Sequence, residues 1–179
     1  SRGLADEIQN LREAFDAGWV PTFRVVQSIH SVSDLLMDYF RCLPSPIITP
    51  ELKKKLFKLC GDSSKEDFEV LSKLSDFFKS DEAASMLPEI NLAVLSYLLQ
   101  FLNKTNTNCT DSVAIIFGPV LMGEASGVSM EEMRNEIKMQ AIVLARLIRN
   151  AKKLLPSTWE EVIVISPRRR NTISNPIGS

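Results

Sequence analysis

Residues 30–48 read HSVSDLLMDYFRCLPSPII. Val32, Leu35, Leu36, Tyr39 and Leu43 recur there at the spacing of one helix face. The pattern predicts a helix that starts near Ser31 and ends at Pro44, which cannot continue a helical ladder. Leu43-Pro44-Ser45-Pro46 is then a stiff turn, because each proline fixes its own φ and disfavours the helical region for the residue before it. At about 100° per residue, Val32, Leu36, Tyr39 and Leu43 point one way and Met37 and Arg41 roughly the other. An arginine on the outer side is ordinarily a solvated charge. A methionine beside it is less ordinary, since its flexible thioether suits adaptable contact surfaces.

Helical periods continue on both sides of this stretch. Upstream, Leu4, Ile8, Leu11 and Phe15 form a stripe that Gly18 stops, and a mixed connector with Trp19, Pro21 and Phe23 follows. Downstream, Thr49 and Pro50 are cap and first residue of a helix lined by Leu52, Leu56 and Leu59 and closed by Gly61. Another runs from about Ser64 on Phe68, Leu71, Leu74 and Phe78, and Pro88 opens one with Leu92, Leu95, Leu98, Leu99 and Leu102 inward. Residues 103–108 are a polar loop. Thr110 caps a short apolar helix that ends at Phe117-Gly118-Pro119. Ser129 and Glu132 fit a capping box, and Met133, Ile137, Ala141, Leu144 and Ile148 carry the last helix to Lys152-Lys153, a basic end that suits the helix dipole. The expectation is an all-α fold of about seven to eight helices over residues 1–155. Residues 156–165, with the apolar run Trp159–Ile165, form a short extended segment packing on the domain or leaving it. Residues 166–179, rich in Ser, Pro, Arg and Asn, form a disordered basic tail.

A length of 179 residues suits one domain, and 45% apolar with 24% charged residues suits a folded soluble one. A net charge of −1 gives no global pull toward nucleic acid or anionic membrane. Cys42, Cys60 and Cys109 form no CxxC pair and read as reduced thiols, which places the chain in a reducing compartment. No signal peptide or membrane span is visible; runs such as Ala114–Phe117 are far too short to cross a bilayer. The helix pattern begins almost at Ser1, as in a piece cut from a longer protein.

Self-contained catalysis does not fit this inventory. His30 is the sole histidine and sits just before a helix, where a structural or capping role accounts for it. Without a second histidine or a cysteine pair no transition-metal site assembles, and no glycine-rich phosphate loop is present, so neither metal nor cofactor is expected. Glu131-Glu132 and Glu160-Glu161 lie where capping or solvation explains them.

The run His30–Ile48 resembles the central signature of the RhoGAP family: a histidine, Leu-Leu-Lys, then Leu-Arg-x-Leu-Pro-x-Pro-Leu. Three further segments agree in order and approximate spacing. Ile8–Gly18 (IQNLREAFDAG) looks like the helix after that family's arginine-finger loop. Leu87-Pro88 through Asn91 to Leu102 looks like its Leu-Pro-x-x-Asn helix. Val113-Ala-Ile-Ile-Phe-Gly-Pro-Val-Leu looks like its Leu-Ala-x-x-Phe-Gly-Pro stretch. The resemblance implies a helical module that binds a Rho-family small GTPase in its GTP-bound state and speeds hydrolysis by an arginine inserted in trans. That cation neutralises charge developing on the transferred phosphoryl group, an effect worth about 10³–10⁵ in rate. Carried over by position, the GTPase-binding residues are Met37, Arg41, Ser112 and Pro119. Arg41 matches the family's helix arginine, and Pro119 the proline of Phe-Gly-Pro. Met37 stands where the family has lysine, and Ser112 where it has asparagine, after a loop shorter than usual. By family spacing the finger falls just before Ser1; Arg2 lies near that place but out of frame.

These departures leave two expectations side by side: a GTPase activator, and a non-catalytic adaptor that docks through the Met37/Arg41 face. A third is a phospho-regulated scaffold unrelated to GTPases. Arg168-Arg169-Arg170-Asn171-Thr172 fits a basophilic kinase site. Arg170 through Ser174 and Pro176 resembles the form read by 14-3-3 proteins, making Thr172 and Ser174 candidate phosphorylation sites; an unmodified basic linker is the plain alternative. The expected location is the cytoplasm, with recruitment to membranes through the GTPase or flanking domains.

Overall fold

The computed structural model describes residues 5–19, 26, 28–61, 67–105, 108–127 and 129–156. Among them lie eight helices: α1 (Ala5–Asp16), α2 (Ile29–Arg41), α3 (Pro50–Cys60), α4 (Asp67–Phe78), α5 (Asp81–Met86), α6 (Glu89–Thr105), α7 (Thr110–Met122) and α8 (Met130–Leu154). The expected all-α fold is what the structure has. Trp159–Ile165, the tail, Arg2, Thr172 and Ser174 lie outside the described residues. The chain divides into two compact units, Ser1–Pro44 and Ser45–Ser179.

In the first unit α1 ends as the sequence predicts. Gly18 takes φ 78°, its N–H donates to the Phe15 carbonyl, and the Trp19 N–H donates to Ala14, a Schellman closure. α2 begins at Ile29 with Ser28 as its cap, rather than near Ser31. Its rotation also differs from the expected one. Ser31 is buried, whereas Leu36 and Tyr39, placed inward by periodicity, are exposed; Phe40, on the side opposite Ser31, is buried as well. The cause is polar. Glu7 on α1 accepts from the Ser28 N–H and the Ser31 hydroxyl. Arg12 on α1 donates to Asp38 at 3.1 Å. Ser31 and Asp38 are two helical turns apart on one face, so these links turn that face toward α1.

In the second unit α8 is the spine. Val143, Leu144, Leu147, Ile148 and Ala151 are fully buried along it, with α6 and α7 packed against it. Its start is the predicted capping box, with Ser129 and Glu132 satisfying each other's backbone N–H. Thr49 caps α3 through the Leu52 N–H, and Pro50 opens it. The segment Ser45–Thr49 is tied from several sides: Ile48 N–H to the Leu121 carbonyl, the Asn91 amide to the Ile47 carbonyl, and the Thr49 hydroxyl to the Met86 carbonyl. A buried backbone segment needs such partners, and helix ends supply them.

Three further expectations give way. α4 buries Val70, Leu74, Phe77 and Phe78, leaving Phe68 in its first turn exposed. α5 lacks a predicted counterpart; six residues are too few to show an apolar period, and its signal is the Ser80 cap on the Ala83 N–H. α7 does not stop at Gly118-Pro119 but carries on to Met122, with Cys109 at its cap position and Thr110 buried inside. Pro119 costs one intrahelical bond, that of the Ile115 carbonyl, and Ile115 lies on the exposed side where water can replace it.

Candidate functional site

On α2, Met37 is half-buried and Arg41, in the last turn, is exposed. A cation there suits the negative end of the helix dipole. Asp38 lies between two guanidinium groups: Arg41 Nη1 donates to Oδ1 at 3.2 Å and Arg12 Nη2 to Oδ2 at 3.1 Å. The carboxylate holds both arginines in place yet neutralises only one charge. Arg41 keeps 53% of its side chain accessible. An exposed pair of this kind is worth at most about 1 kcal/mol, so the guanidinium can exchange Asp38 for a partner's acceptor at little cost. Tyr39 and Leu36 add exposed apolar surface on the same helix.

The second candidate face is on α7. Ser112, Ile115, Ile116 and Pro119 follow the three- and four-residue spacing of one helix side. Ser112 is exposed, Ile115 and Ile116 are 56% and 53% exposed, and Pro119 is half-buried. The opposite side of α7, with Ala114, Gly118 and Leu121, is buried. Gly118 permits the close fit there, since a Cβ at that position would meet Gln140 Cβ at 3.2 Å. Arg149 of α8 donates to both oxygens of Asp111 in the first turn of α7 at 2.7 Å, an exposed pair. The face is thus carried by a helix whose other side packs on α8.

The structure therefore pairs Met37 with Arg41 on a helix of the first unit, and Ser112 with Pro119 on a helix of the second. It adds Ile115 and Ile116, which sequence reasoning passed over. In the run Val113-Ala-Ile-Ile-Phe every residue is apolar, so hydropathy alone reads it as core. Spacing from Ser112 and Pro119 was the signal that separates the two isoleucines from Ala114.

Little else offers chemistry. Burial pushes the Cys60 thiol up against the opposing pull of Arg146, and Cys42 and Cys109 are exposed free thiols. His30 is exposed, and its backbone N–H donates to the Ser28 hydroxyl. Among the described residues no cluster of His, Cys, Asp and Glu is placed to hold a metal ion, and no helix is long and apolar enough to cross a membrane.

Comparisons with known proteins agree with the four motifs. The family model of the RhoGAP domain matches residues 1–126. Human Rho GTPase-activating protein 25 is 30% identical over 180 residues, covering 94% of this chain and 26% of that protein. The GTPase-activating protein CdGAPr of Drosophila melanogaster is 33% identical over 165 residues, covering 85% of this chain and 8% of its own length. The chain thus spans about a quarter of the first relative's length and less than a tenth of the second's. Among solved structures, human Rho GTPase-activating protein 15 superposes with a TM-score of 0.71 at 18% identity, over 87% of this chain and 73% of that one. The BH domain of GRAF, the GTPase regulator associated with focal adhesion kinase, gives 0.65 at 21% identity, over 86% and 80%. By fold, motif order and sequence, the chain belongs to the RhoGAP domain family.

Proposed function

We propose that this RhoGAP domain docks on a Rho-family GTPase in its GTP-bound state, using the Met37/Arg41 side of α2 and the Ser112, Ile115, Ile116 and Pro119 face of α7. The observation that carries the reading is the isoleucine pair, exposed on α7 between the two family positions Ser112 and Pro119. Apolar anchors with a polar neighbour are what a binding face needs for area and register. Arg41 supplies the cation. Residues 1–155 act as the module, 156–165 are an extended segment that packs on it or leaves it, and 166–179 form a tail open to a basophilic kinase and 14-3-3 proteins at Thr172 and Ser174. The setting is the cytoplasm, with membranes reached through the GTPase or flanking domains.

Met37 removes a charge where the family has lysine. Ser112 offers one hydroxyl where an asparagine amide would offer both a donor and an acceptor. These two substitutions favour a second reading, an adaptor that binds the GTPase without speeding it strongly. Ile115→Asp tests docking directly, because that side chain faces solvent and the fold does not depend on it. Affinity for a Rho-family protein loaded with a GTP analogue should fall at least about tenfold while the thermal transition stays in place. Unchanged affinity would remove the α7 face from the site.

A further inference from the structure

One side of α6 faces solvent. Ile90, Val94, Tyr97, Phe101 and Lys104 follow one another there at three- and four-residue spacing. Ile90 is 62%, Tyr97 80% and Phe101 50% exposed. The opposite side, with Leu95, Leu98, Leu99 and Leu102, is buried. A single exposed aromatic is ordinary on a protein surface, but a row of large apolar side chains along one helix marks a contact.

The order of residues along the stripe points to its occupant. Tyr97 stands at the midpoint of Glu89–Thr105. A second α6 laid antiparallel about that midpoint brings each residue opposite the one equally far beyond it. Tyr97 then meets Tyr97, and the large ring of Phe101 meets small Ala93 beside Val94. The aliphatic stem of Lys104 passes over Ile90. The ends match in charge as well. At about 100° per residue, Glu89 and Lys104 lie on the same flank of the stripe, and in an antiparallel pair like flanks face each other. Lys104 is exposed and Glu89 partly so. Each Glu89 therefore comes beside the partner's Lys104. A parallel pair would gather both Glu89 carboxylates at one end and both Lys104 ammonium groups at the other, so charge selects the antiparallel arrangement.

We propose that two copies of this chain associate through α6 as an antiparallel, two-fold pair centred on Tyr97. Both copies use the same surface, so the contact closes at two and does not propagate. One helix face falls short of the about 800 Å² that a standard interface takes from each partner, so the pair forms weakly and depends on concentration. The contact uses none of the residues proposed for docking and stands apart from that reading.

Sedimentation of the whole chain from about 1 μM to about 500 μM tests the pairing. The mass should rise from one copy toward two and no further. Tyr97→Asp, on the exposed side of α6, should weaken association by about tenfold or more. Lys104→Glu should weaken it too, and adding Glu89→Lys, which puts opposite charges back across the contact, should restore it. Tyr97→Cys gives a reading that does not rest on affinity. Under mild oxidation a disulfide should join position 97 of one copy to position 97 of the other, as peptide mass spectrometry would show. A single copy at every concentration overturns the proposal, as does association that Tyr97→Asp leaves intact. Disulfides from position 97 only to the exposed Cys42 or Cys109 of another copy overturn it as well.

Discussion

Asp38 shows how much one residue settles here. It accepts from Arg12 on α1 and from Arg41 on its own helix, so it both fixes the rotation of α2 and poses the arginine proposed for docking. Arg41→Ala separates the two roles. Losing an exposed pair should lower stability by less than about 1 kcal/mol, since Asp38 keeps Arg12. Removing a central interface arginine should weaken GTPase binding by roughly tenfold or more. A urea titration beside a binding isotherm reads both; equal losses in the two would mean that Arg41 acts through the fold alone. Gly118 is the corresponding single point on α7. With Gln140 Cβ 3.2 Å from where its own Cβ would stand, there is no room for branching. Gly118→Val should destabilise the protein by about 1–3 kcal/mol through overpacking, in spite of the better helix propensity of valine, as a shift in the urea midpoint would show.

At the scale of elements, α3, α8 and the loop between α7 and α8 meet at Glu136. Lys53 of α3 donates to its carboxylate at 2.8 Å and the Ser126 N–H at 3.0 Å, with both charged side chains largely buried. Burial alone would raise the carboxyl pKa, but the Lys53 hydrogen bond and charge, with the Ser126 N–H, outweigh it and hold Glu136 below the ordinary range. The folded-state value is depressed, so the stabilisation is fully present above the unfolded value of about 4.3 and is lost as pH falls through the folded one. Glu136→Gln should cost about 1–3 kcal/mol near neutral pH, because Lys53 then loses its counter-charge. The gap between variant and parent should hold constant down to about pH 5 and narrow below about pH 4. Urea titrations across that range decide it; a gap that widens in acid would mean that Glu136 is not held low. The caps around these elements were legible in advance. Thr49-Pro50, Ser129 with Glu132, and Gly18 each act through neighbouring backbone groups, so local sequence contains the whole cause. The rotation of α2 was not, because Glu7 and Arg12 set it from another helix and an apolar period cannot register them. Phe68 failed for a related reason: a helix's first turn can belong to the stripe by spacing and still lie beyond the core it faces. Nor was the length of α7, since whether proline ends a helix depends on which side its missing bond faces.

For the whole molecule, composition limited the chemistry and motif order gave the family, whereas the docking surface needed exposure that no sequence pattern prints. Arg41 and Pro119 enter the proposed surface by position in the motifs; Ile115 and Ile116 share the spacing of Ser112 and Pro119, and their exposure on α7 adds them to it. The same faces bear on rate. An arginine finger contributes about 10³–10⁵ by placing positive charge at the transferring phosphoryl group, and only groups realised in the transition state raise the turnover. On the proposed reading, Met37 in place of lysine and Ser112 in place of asparagine give that charge less support while leaving apolar area for the contact. Binding and acceleration should therefore come apart. With a Rho-family protein in single turnover and residues 1–179 at saturating concentration, hydrolysis should speed up by far less than about 10³. The double change Met37→Lys with Ser112→Asn should raise that rate more than it tightens binding, because a charge placed for the transition state acts there preferentially. A full-strength rate from the unsubstituted chain would show that neither residue limits activation. A double variant that changes affinity and rate in equal proportion would show that both positions serve docking alone.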